Sequence, residues 1–415
     1  MNPFCYRDGV LRAESVPLAT IAQAVGTPCF VYSRAALTAA FDAYARAFAD
    51  SRPLVCYAAK ANSNIAILDL FARLGSGFDI VSGGELARVL AAGGSPARVV
   101  FSGVGKSEAE MRFALEHDIL CFNVESASEL ERLNRVAATM DKVAPVSFRV
   151  NPDVDPGTHP YISTGLKENK FGVPHEDAFG LYLCARDLAN VRIVGIDCHI
   201  GSQITELAPY VDALDRILGL VVRLAAEGIA LEHIDLGGGI GIRYRDEQPL
   251  ALADYARAIR DRMAGRRERL ILEPGRSLVG NGGLLLTRVE YLKHGETRHF
   301  AVVDAAMNDL MRPALYDAYH AVLPVREHSS AAPRIYEVVG PVCESGDFLA
   351  HERCLAVAEG DLIAIMSAGA YGMSMSSNYN TRPRAAEVMA DGSAWHVIRD
   401  REAIPELFAH EHRLP

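Results

Sequence analysis

Short apolar runs alternate with helical patterns over the first two thirds of the chain. Eight runs have apolar residues on both faces, and they begin near residues 54, 77, 99, 120, 146, 194, 233 and 270. Strands that are apolar on both faces are typical of a parallel sheet covered by helices. Eight β-α units between residues 33 and 280 predict a (β/α)₈ barrel of the TIM type, which usually takes about 250 residues.

The helical patterns between the runs also have predictable starts. Ser33 is predicted to cap a helix from Ala35 to Phe48. Further helices are predicted at Asn64–Leu74, Gly84–Ala92, Glu108–Glu116, Ser128–Ala138, Ala208–Glu227 and Ala251–Met263. An open, doubly wound sheet is the structural alternative. It has little support, because Gly237–Gly239 lacks the Gly-x-Gly-x-x-Gly pattern and the acidic partner of a dinucleotide site.

The pattern changes after residue 280. Short apolar runs are separated by Gly, Pro and Asp turns, with almost no long helical pattern between them: Leu284–Tyr291, His299–Asp304, Arg334–Val339, Cys354–Val357 and Asp361–Met366. They predict a mostly antiparallel β domain over residues 281–415, resembling a sandwich or barrel. The runs Val10–Ala13 and Cys29–Tyr32 are predicted to be edge strands, through which residues 1–32 join the same domain.

Composition excludes several classes of protein. The 415 residues are 50% hydrophobic and 23% charged, which is typical of a folded protein with two or three domains. The net charge of -10 argues against nucleic acid binding, and the basic cluster Arg266–Arg269 is predicted to be a solvated helix end. Neither a secretory signal nor a membrane span is predicted, so we expect a cytoplasmic protein. Eight scattered cysteines without a Cys-x-x-Cys pair indicate neither disulfides nor a metal site.

Polar residues stand at the carboxyl ends of the barrel runs, where a barrel keeps its active site. They are Lys60 after the first run, Asp79 in the second, His199 at the end of the sixth, Gly237–Gly239 after the seventh and Glu273–Arg276 after the eighth. A partly desolvated amine at such a position loses proton affinity and becomes able to attack a carbonyl. Lys60 is therefore a candidate for covalent attachment of a carbonyl compound.

Each of these residues also has an ordinary structural explanation. Lys60 could extend its stem to solvent, His199 could be a core histidine, and Glu273 could form a surface ion pair worth under about 1 kcal/mol. Together, however, they fit pyridoxal phosphate, which needs a lysine for its aldehyde, glycine-rich turns for its phosphate and a counter-charge for its ring nitrogen. A carboxylate at that nitrogen favours decarboxylation, and the flat ring of His199 could stack on the cofactor.

Longer motifs resemble the meso-diaminopimelate decarboxylase family over essentially the whole chain. These motifs are Tyr57–Asn62, Gly77–Leu86, His199–Gln203, Leu236–Gly239, Glu273–Arg276, Asp304–Tyr316, Gly340–Asp347 and Ala368–Gly372. The Lys60 and Cys343 motifs alone would indicate only the wider group of barrel-type decarboxylases, which includes ornithine and arginine decarboxylases. Met307–Tyr316, Cys343–Ser345 and His159–Gly165 resemble the diaminopimelate branch specifically.

The resemblance implies a role for each matching residue. Lys60 would carry the cofactor, with Asp79 beside it, His199 on its ring and Glu273 at its nitrogen. The phosphate contacts would be Ser202, Gly239, Gly275, Arg276 and Tyr371. The substrate contacts would be Arg276, Arg312, Tyr316, Glu344 and Tyr371. Cys343 would return a proton, and the resemblance further implies a homodimer in which Cys343 and Glu344 reach the neighbouring subunit's site.

The predicted reaction is decarboxylation of meso-2,6-diaminopimelate to L-lysine, the last step of lysine biosynthesis. Two arginines suit this substrate, because a guanidinium can fork onto the distal carboxylate that ornithine lacks. A decarboxylase of another basic amino acid or of carboxynorspermidine is the first alternative. A non-catalytic regulatory homologue that binds pyridoxal phosphate is the second. Cys343 has an alternative of its own, as an inert buried thiol.

Overall fold

The structure is a computed structural model that describes residues 3–155, 170–327 and 331–415. The chain divides into two compact units. One unit, called the barrel unit here, comprises Phe41–Ile242 and Gln248–Ser277. The other, called the β unit, comprises Met1–Ala40, Arg243–Glu247 and Leu278–Pro415. The loop His159–Gly165, which the sequence relates to the diaminopimelate branch, lies outside the described residues.

The chain begins with a small antiparallel sheet. The first elements are β1 (Phe4–Arg7), β2 (Val10–Ala13), β3 (Val16–Pro17), α1 (Leu18–Val25), β4 (Cys29–Ser33) and α2 (Arg34–Ala47). Strands β1, β2 and β3 pair in sequence order. The side chain of Ser33 accepts a hydrogen bond from the backbone N–H of Ala36 at 3.1 Å, which confirms its predicted capping role.

Strands and helices alternate from Leu54 onward. The elements are β5 (Leu54–Ala58), α3 (Ile65–Arg73), β6 (Gly77–Ile80), α4 (Gly83–Ala91), β7 (Val99–Phe101), α5 (Glu108–Glu116), β8 (Cys121–Val124), α6 (Ala127–Thr139), β9 (Ala144–Asn151), β10 (Val173–Pro174), α7 (His175–Arg186), β11 (Val191–Asp197), α8 (Ala208–Ala226), β12 (His233–Asp235), α9 (Leu252–Met263), β13 (Arg269–Leu272) and α10 (Arg276–Val279). None of the described helices is long and apolar enough to cross a membrane.

Eight parallel strands close into a barrel. Strands β5 to β9 pair in order, β9 pairs with β11, and β11, β12 and β13 continue to β5. Closure is visible in the register, where Ile271 of β13 stands beside Leu54 of β5. The short strand β10 adds to β9 outside this ring. The predicted (β/α)₈ architecture is therefore confirmed.

Local signals explain why the helices start where they do. Side chains of Asn64, Ser82, Ser107 and Ser126 each accept a hydrogen bond from the first turn of the helix that follows. Such a cap holds the chain as it leaves a strand, so the loops at the carboxyl ends of the strands are short and defined. No bounds were predicted for helix α7, because its apolar residues are not confined to one face.

The β unit continues after Gly280 with mostly antiparallel strands. The strands are β14 (Gly283–His294), β15 (His299–Val303), β16 (Val322–Pro324), β17 (Arg334–Val339), β18 (Phe348–Leu355), β19 (Leu362–Ile365), β20 (Ala386–Asp391) and β21 (Ala394–Arg399). The short helix α11 (Arg312–Tyr316) lies between β15 and β16. The sheet order is β18-β17-β15-β14-β4-β20-β21, with β19 between β14 and β16. Only the β15–β17 and β4–β20 pairs of this sheet are parallel among the described residues.

For the first residues of the chain, one prediction is wrong and one helix was not predicted. Cys29–Tyr32 is not an edge strand, because β4 lies between β14 and β20 and all five of its residues are buried. A strand that is apolar on both faces is buried on both faces. Leu18–Val25 forms helix α1, with Leu18, Ile21 and Ala22 buried on one side. This i, i+3, i+4 spacing was the overlooked helical signal.

Candidate active site

Lys60 lies directly after the first barrel strand. β5 ends at Ala58, and Ala59–Ala61 form a single turn of 3₁₀ helix that places Lys60 at the carboxyl end of the barrel. Its Nζ donates to Oδ2 of Asp79 at 2.5 Å. The Lys60 side chain is 35% exposed, whereas the Asp79 side chain is fully buried. The amine is thus held by a buried carboxylate while remaining accessible from outside the barrel.

A cluster of buried carboxylates lies inside the same barrel. Oxygen atoms of Asp197, Asp235 and Glu273 are within 4.8 Å of one another. Burial raises the pKa of Glu273 well above its usual range, and the charges of Asp235 and Asp79 raise it further. Oε1 of Glu273 is buried and has no hydrogen-bond partner among the described residues. This oxygen can therefore hold a proton or accept one from a neighbouring carboxyl.

His199 follows strand β11 and contacts the glycine turn after β12. The backbone N–H of Gly238 donates to Nδ1 of His199 at 3.2 Å. Burial lowers the pKa of His199 well below its usual range, and the nearby cations Arg149 and Lys60 lower it further. The imidazole is therefore neutral, with Nδ1 as acceptor and the hydrogen on Nε2. A neutral flat ring of fixed tautomer suits stacking on an aromatic ligand.

Glycines permit close backbone approach where the turns meet. Gly239 has a φ of +104°, and a Cβ there would lie 2.4 Å from the carbonyl oxygen of Gly201. Arg276 donates through Nη2 and Nε to the hydroxyl of Ser202, at 3.0 and 3.3 Å. A Cβ on Gly275 would lie 3.1 Å from the Cβ atoms of Ala58 and Ala61, beside the lysine turn. The fold thus brings together the turns that the sequence predicted to bind phosphate.

Arg312 lies in the β unit and is held by two aromatic rings. Its Nη1 is 2.8 Å from Nε2 of His320, whose Nδ1 is 2.7 Å from the carbonyl oxygen of Met366. Since a carbonyl only accepts, Nδ1 of His320 carries the hydrogen and Nε2 accepts from Arg312. The guanidinium also lies 4.6 Å from the ring centre of Tyr244. These contacts fix the direction of a buried cation.

The remaining predicted residues also lie in the β unit. Cys343 is exposed, and its backbone N–H donates to Oδ1 of Asn380 at 2.9 Å. This exposure contradicts the alternative that Cys343 is a buried thiol. Glu344 is exposed beside it. Tyr316 is half-buried at the end of α11, and Tyr371 is half-buried with a φ of +55°.

Known proteins are similar to this chain along its whole length. Residues 34–280 match the family described as pyridoxal-dependent decarboxylase, pyridoxal binding domain. The chain is 62% identical over 415 residues to the diaminopimelate decarboxylase of Pseudomonas aeruginosa, covering 100% of both chains. It is 60% identical over 401 residues to that of Neisseria meningitidis serogroup A, covering 97% of this chain and 98% of the relative. The chain belongs to the diaminopimelate decarboxylase family.

Solved structures agree with this membership, which confirms the resemblance noted in the sequence. Diaminopimelate decarboxylase from Helicobacter pylori, complexed with L-lysine, is 44% identical with a TM-score of 0.92. That match covers 95% of this chain and 99% of the solved one. The M. jannaschii diaminopimelate decarboxylase, also complexed with L-lysine, is 38% identical with a TM-score of 0.94, covering 100% and 98%.

In this member of the family, sequence reasoning missed three buried charged residues within the described barrel strands. They are Arg149 in β9, Asp197 in β11 and Asp235 in β12, all buried. The available signal was a single charged residue within an otherwise apolar strand pattern. Charged groups are seldom fully buried unless they are paired, so such a residue indicates an interior network.

The residues of the barrel unit fit pyridoxal phosphate. The accessible amine of Lys60 suits an aldehyde, and the buried carboxyl of Glu273 suits a protonated ring nitrogen. Ser202, Gly239 and Arg276 provide hydroxyl, backbone and guanidinium groups for a phosphate. The donor set therefore agrees with the pyridoxal dependence of the family.

Proposed function

We propose that the chain catalyses pyridoxal phosphate-dependent decarboxylation of meso-2,6-diaminopimelate to L-lysine and carbon dioxide, the last step of lysine biosynthesis. The observation that carries this proposal is the Lys60–Asp79 pair beside the orphaned Glu273 carboxyl, in a chain of this family. When bound, the cofactor supplies an electron sink for the electron pair that remains as the carboxylate leaves.

The barrel unit would hold the cofactor. Lys60 would bind its carbonyl carbon, and Asp79 orients the amine. Glu273 would hold a proton at the ring nitrogen, and neutral His199 would stack on the ring. Four positions on the turns would contact the phosphate together with Tyr371 of the β unit: Ser202, Gly239, Gly275 and Arg276.

Substrate recognition follows from the charges at both ends of diaminopimelate. Arg276 and Arg312 would fork onto a carboxylate, and Glu344 would take the distal ammonium. The hydroxyl groups of Tyr316 and Tyr371 would form further hydrogen bonds to the substrate. His320 and Tyr244 already hold the Arg312 guanidinium in place, so little side-chain entropy is lost when it binds a carboxylate. The reacting carboxylate must stay unpaired, because a counter-charge there would oppose its loss.

Cys343 would supply the proton that replaces the lost carboxylate at the α-carbon. Its thiol is exposed, on the turn between β17 and β18, so it can approach a ligand. We further propose a homodimer in which Cys343 and Glu344 serve the site of the neighbouring subunit. Eight free cysteines support a reducing, cytoplasmic location.

Carbon dioxide release tests the reaction and the substrate together. The purified chain with pyridoxal phosphate is incubated with meso-diaminopimelate, and with ornithine, arginine, lysine and carboxynorspermidine in parallel. We expect release from diaminopimelate alone. Release from another amine would retain the chemistry and overturn the substrate. Cofactor absorbance without release from any of them would favour the regulatory alternative.

A further inference from the structure

Three carboxylates of the barrel interior are too close to be ionised together. Asp197, Asp235 and Glu273 have oxygens within 4.8 Å of one another, and the residues are 1%, 1% and 6% exposed. Like charges at this separation, away from water, raise each other's proton affinity. At least one proton therefore resides in the cluster.

The hydrogen bonds of Asp235 indicate where that proton lies. Oδ1 of Asp235 accepts from the backbone N–H of Gly237 at 2.8 Å. Oδ2 of Asp235 is buried without a partner among the described residues, and so is Oε1 of Glu273. Oδ1 of Asp197 is also buried without a partner among the described residues, but Oδ2 of Asp197 lies 4.0 Å from Nε of Arg149. The orphaned oxygens of Asp235 and Glu273 are both satisfied when one carries a proton and donates it to the other.

The nearby cations lie beside carboxylates other than Asp235 and Glu273. Lys60 pairs with Asp79 at 2.5 Å, and Nε of Arg149 lies 4.0 Å from Oδ2 of Asp197. Another nitrogen of Arg149 lies 3.6 Å from Glu125. His199 is neutral, since burial lowers its pKa well below the usual range.

The buried thiols nearby are neutral as well. Burial raises the pKa of Cys56, Cys121 and Cys198 well above the usual range. Burial also raises the pKa of Asp235 to about 7, while the Gly237 N–H and Glu273 lower it and Asp79 raises it. Burial and the charge of Asp235 also raise the pKa of Asp197, whereas Arg149 lowers it. With Arg149 beside Asp197, the structure assigns one negative charge and one proton to the pair of Asp235 and Glu273.

We propose that Asp235 and Glu273 share one proton as a carboxylic acid and carboxylate pair, which makes Asp235 a positioning residue for Glu273. The only bond that changes is an O–H bond, as the proton passes between Oδ2 of Asp235 and Oε1 of Glu273. The consequence for the ring nitrogen rests on the proposed function, whereas the shared proton does not.

The first test measures the unfolding free energy as a function of pH, because its slope gives the difference in bound protons between the folded and unfolded chain. It uses the full chain without cofactor, dialysed against a chelator. The folded pair retains a proton that the unfolded chain releases near pH 3.8, so unfolding free energy falls as pH rises from about 4 to about 7. We expect Asp235→Asn and Glu273→Gln each to reduce that slope by about one proton. The double variant should reduce it no further, because both substitutions remove the same proton.

Additive slopes in the double variant would overturn the shared proton, and unchanged slopes in the single variants would do the same. Asp309→Asn is the matched control. Burial raises the pKa of Asp309 to about 6 within the β unit, so this variant should change the slope without touching the barrel pair.

The second test uses the protein with pyridoxal phosphate bound and measures the absorbance of the cofactor as the pH changes from 6 to 9. An asparagine can still accept from Gly237 and donate to Glu273, whereas an alanine cannot. We expect Asp235→Ala to shift the midpoint of this absorbance change by about one pH unit or more, and Asp235→Asn to shift it less. Identical midpoints in the two variants and the wild type would overturn the positioning role. Neither test uses substrate, so a failure here is separate from a failure of the proposed decarboxylation.

Discussion

Two ion pairs, one in each unit, differ in how far their side chains are exposed to water. In the barrel, Lys106 and Glu129 form an ion pair at 2.7 Å whose side chains are only 1% and 8% exposed. In the β unit, Arg34 and Asp391 form a pair whose side chains are 52% and 40% exposed. The pair of the barrel lies where water is excluded, so each of its charges depends on the other. The pair of the β unit is screened by solvent.

This difference divides the proposed chemistry between the two units. Groups that must hold a cofactor and a proton in fixed positions lie inside the barrel, where electrostatic interactions are strong. The thiol and carboxylate of Cys343 and Glu344 are exposed on a turn of the β unit. Arg312 differs from these two exposed residues, because it is buried and held by His320.

The largest expected effect comes from the barrel lysine. Lys60→Ala removes the amine that binds the cofactor, so turnover should fall by more than about 10⁴-fold. The visible absorbance of bound pyridoxal phosphate should vanish with it. Lys142→Ala is the matched control, since Lys142 pairs with Asp118 and precedes β9 at the other end of the barrel. Retained absorbance in the Lys60 variant would contradict the assignment.

In the β unit, replacing Cys343 should affect turnover without affecting cofactor binding. We expect Cys343→Ala to keep the cofactor absorbance and to lose about 10²–10⁴-fold in kcat, because a positioned proton donor is lost. Cys184→Ala and Cys354→Ala, which change two other exposed thiols, should leave kcat unaltered. Full activity of the Cys343 variant would refute its role.

Mixing the two inactive variants tests whether the sites are shared between subunits. If Cys343 serves the neighbouring site, a 1:1 mixture of Lys60→Ala and Cys343→Ala chains regains about a quarter of wild-type activity, as mixed dimers contain one intact site. If both residues serve the same subunit's site, no mixed dimer contains an intact site and activity stays at background.

Ion pairs in the two units should differ in their contribution to stability. Lys106→Met leaves Glu129 buried without its partner, and we expect the unfolding free energy to fall by about 3–5 kcal/mol. Arg34→Met, in the exposed pair, should change it by under about 1 kcal/mol. Urea denaturation measures both. Replacing Glu129 by leucine in the Lys106→Met background should recover part of the loss, and equal losses in the two single variants would contradict the comparison.

The smallest expected effect concerns substrate binding in the β unit. Arg312→Ala removes a charge-assisted hydrogen bond worth about 1.5–3 kcal/mol, so kcat/KM for diaminopimelate should fall about 10- to 100-fold through KM. Arg245→Ala is the control, because its guanidinium stacks on Tyr319 and is largely exposed. An unchanged kcat/KM in the Arg312 variant would favour another substrate.

Much of the barrel was predictable from the sequence. Apolar strand patterns and helix caps depend on residues close together in the chain, so Ser33 was correctly predicted as an N-cap and eight barrel strands were found. Lys60 was placed at a strand end for the same reason. The motifs also identified the family before any fold was known, since each motif is a local string of residues.

Local patterns failed where the outcome depended on distant neighbours. The Cys29–Tyr32 run predicted a strand, but only the pairing of β4 with β14 and β20 made it central rather than an edge. Likewise, nothing in the sequence near Arg312 indicated that His320 and Tyr244 would fix its guanidinium.

The sequence by itself determined the order of strands and helices, the lysine at the first strand end and the family. Tertiary structure alone decided which buried charges meet. Asp197, Asp235 and Glu273 belong to three successive strands or the turn after them, and they approach one another only because the barrel brings those strands side by side. Periodicity reports which face of a strand is apolar, whereas proton sharing depends on distances across strands that only the folded barrel sets.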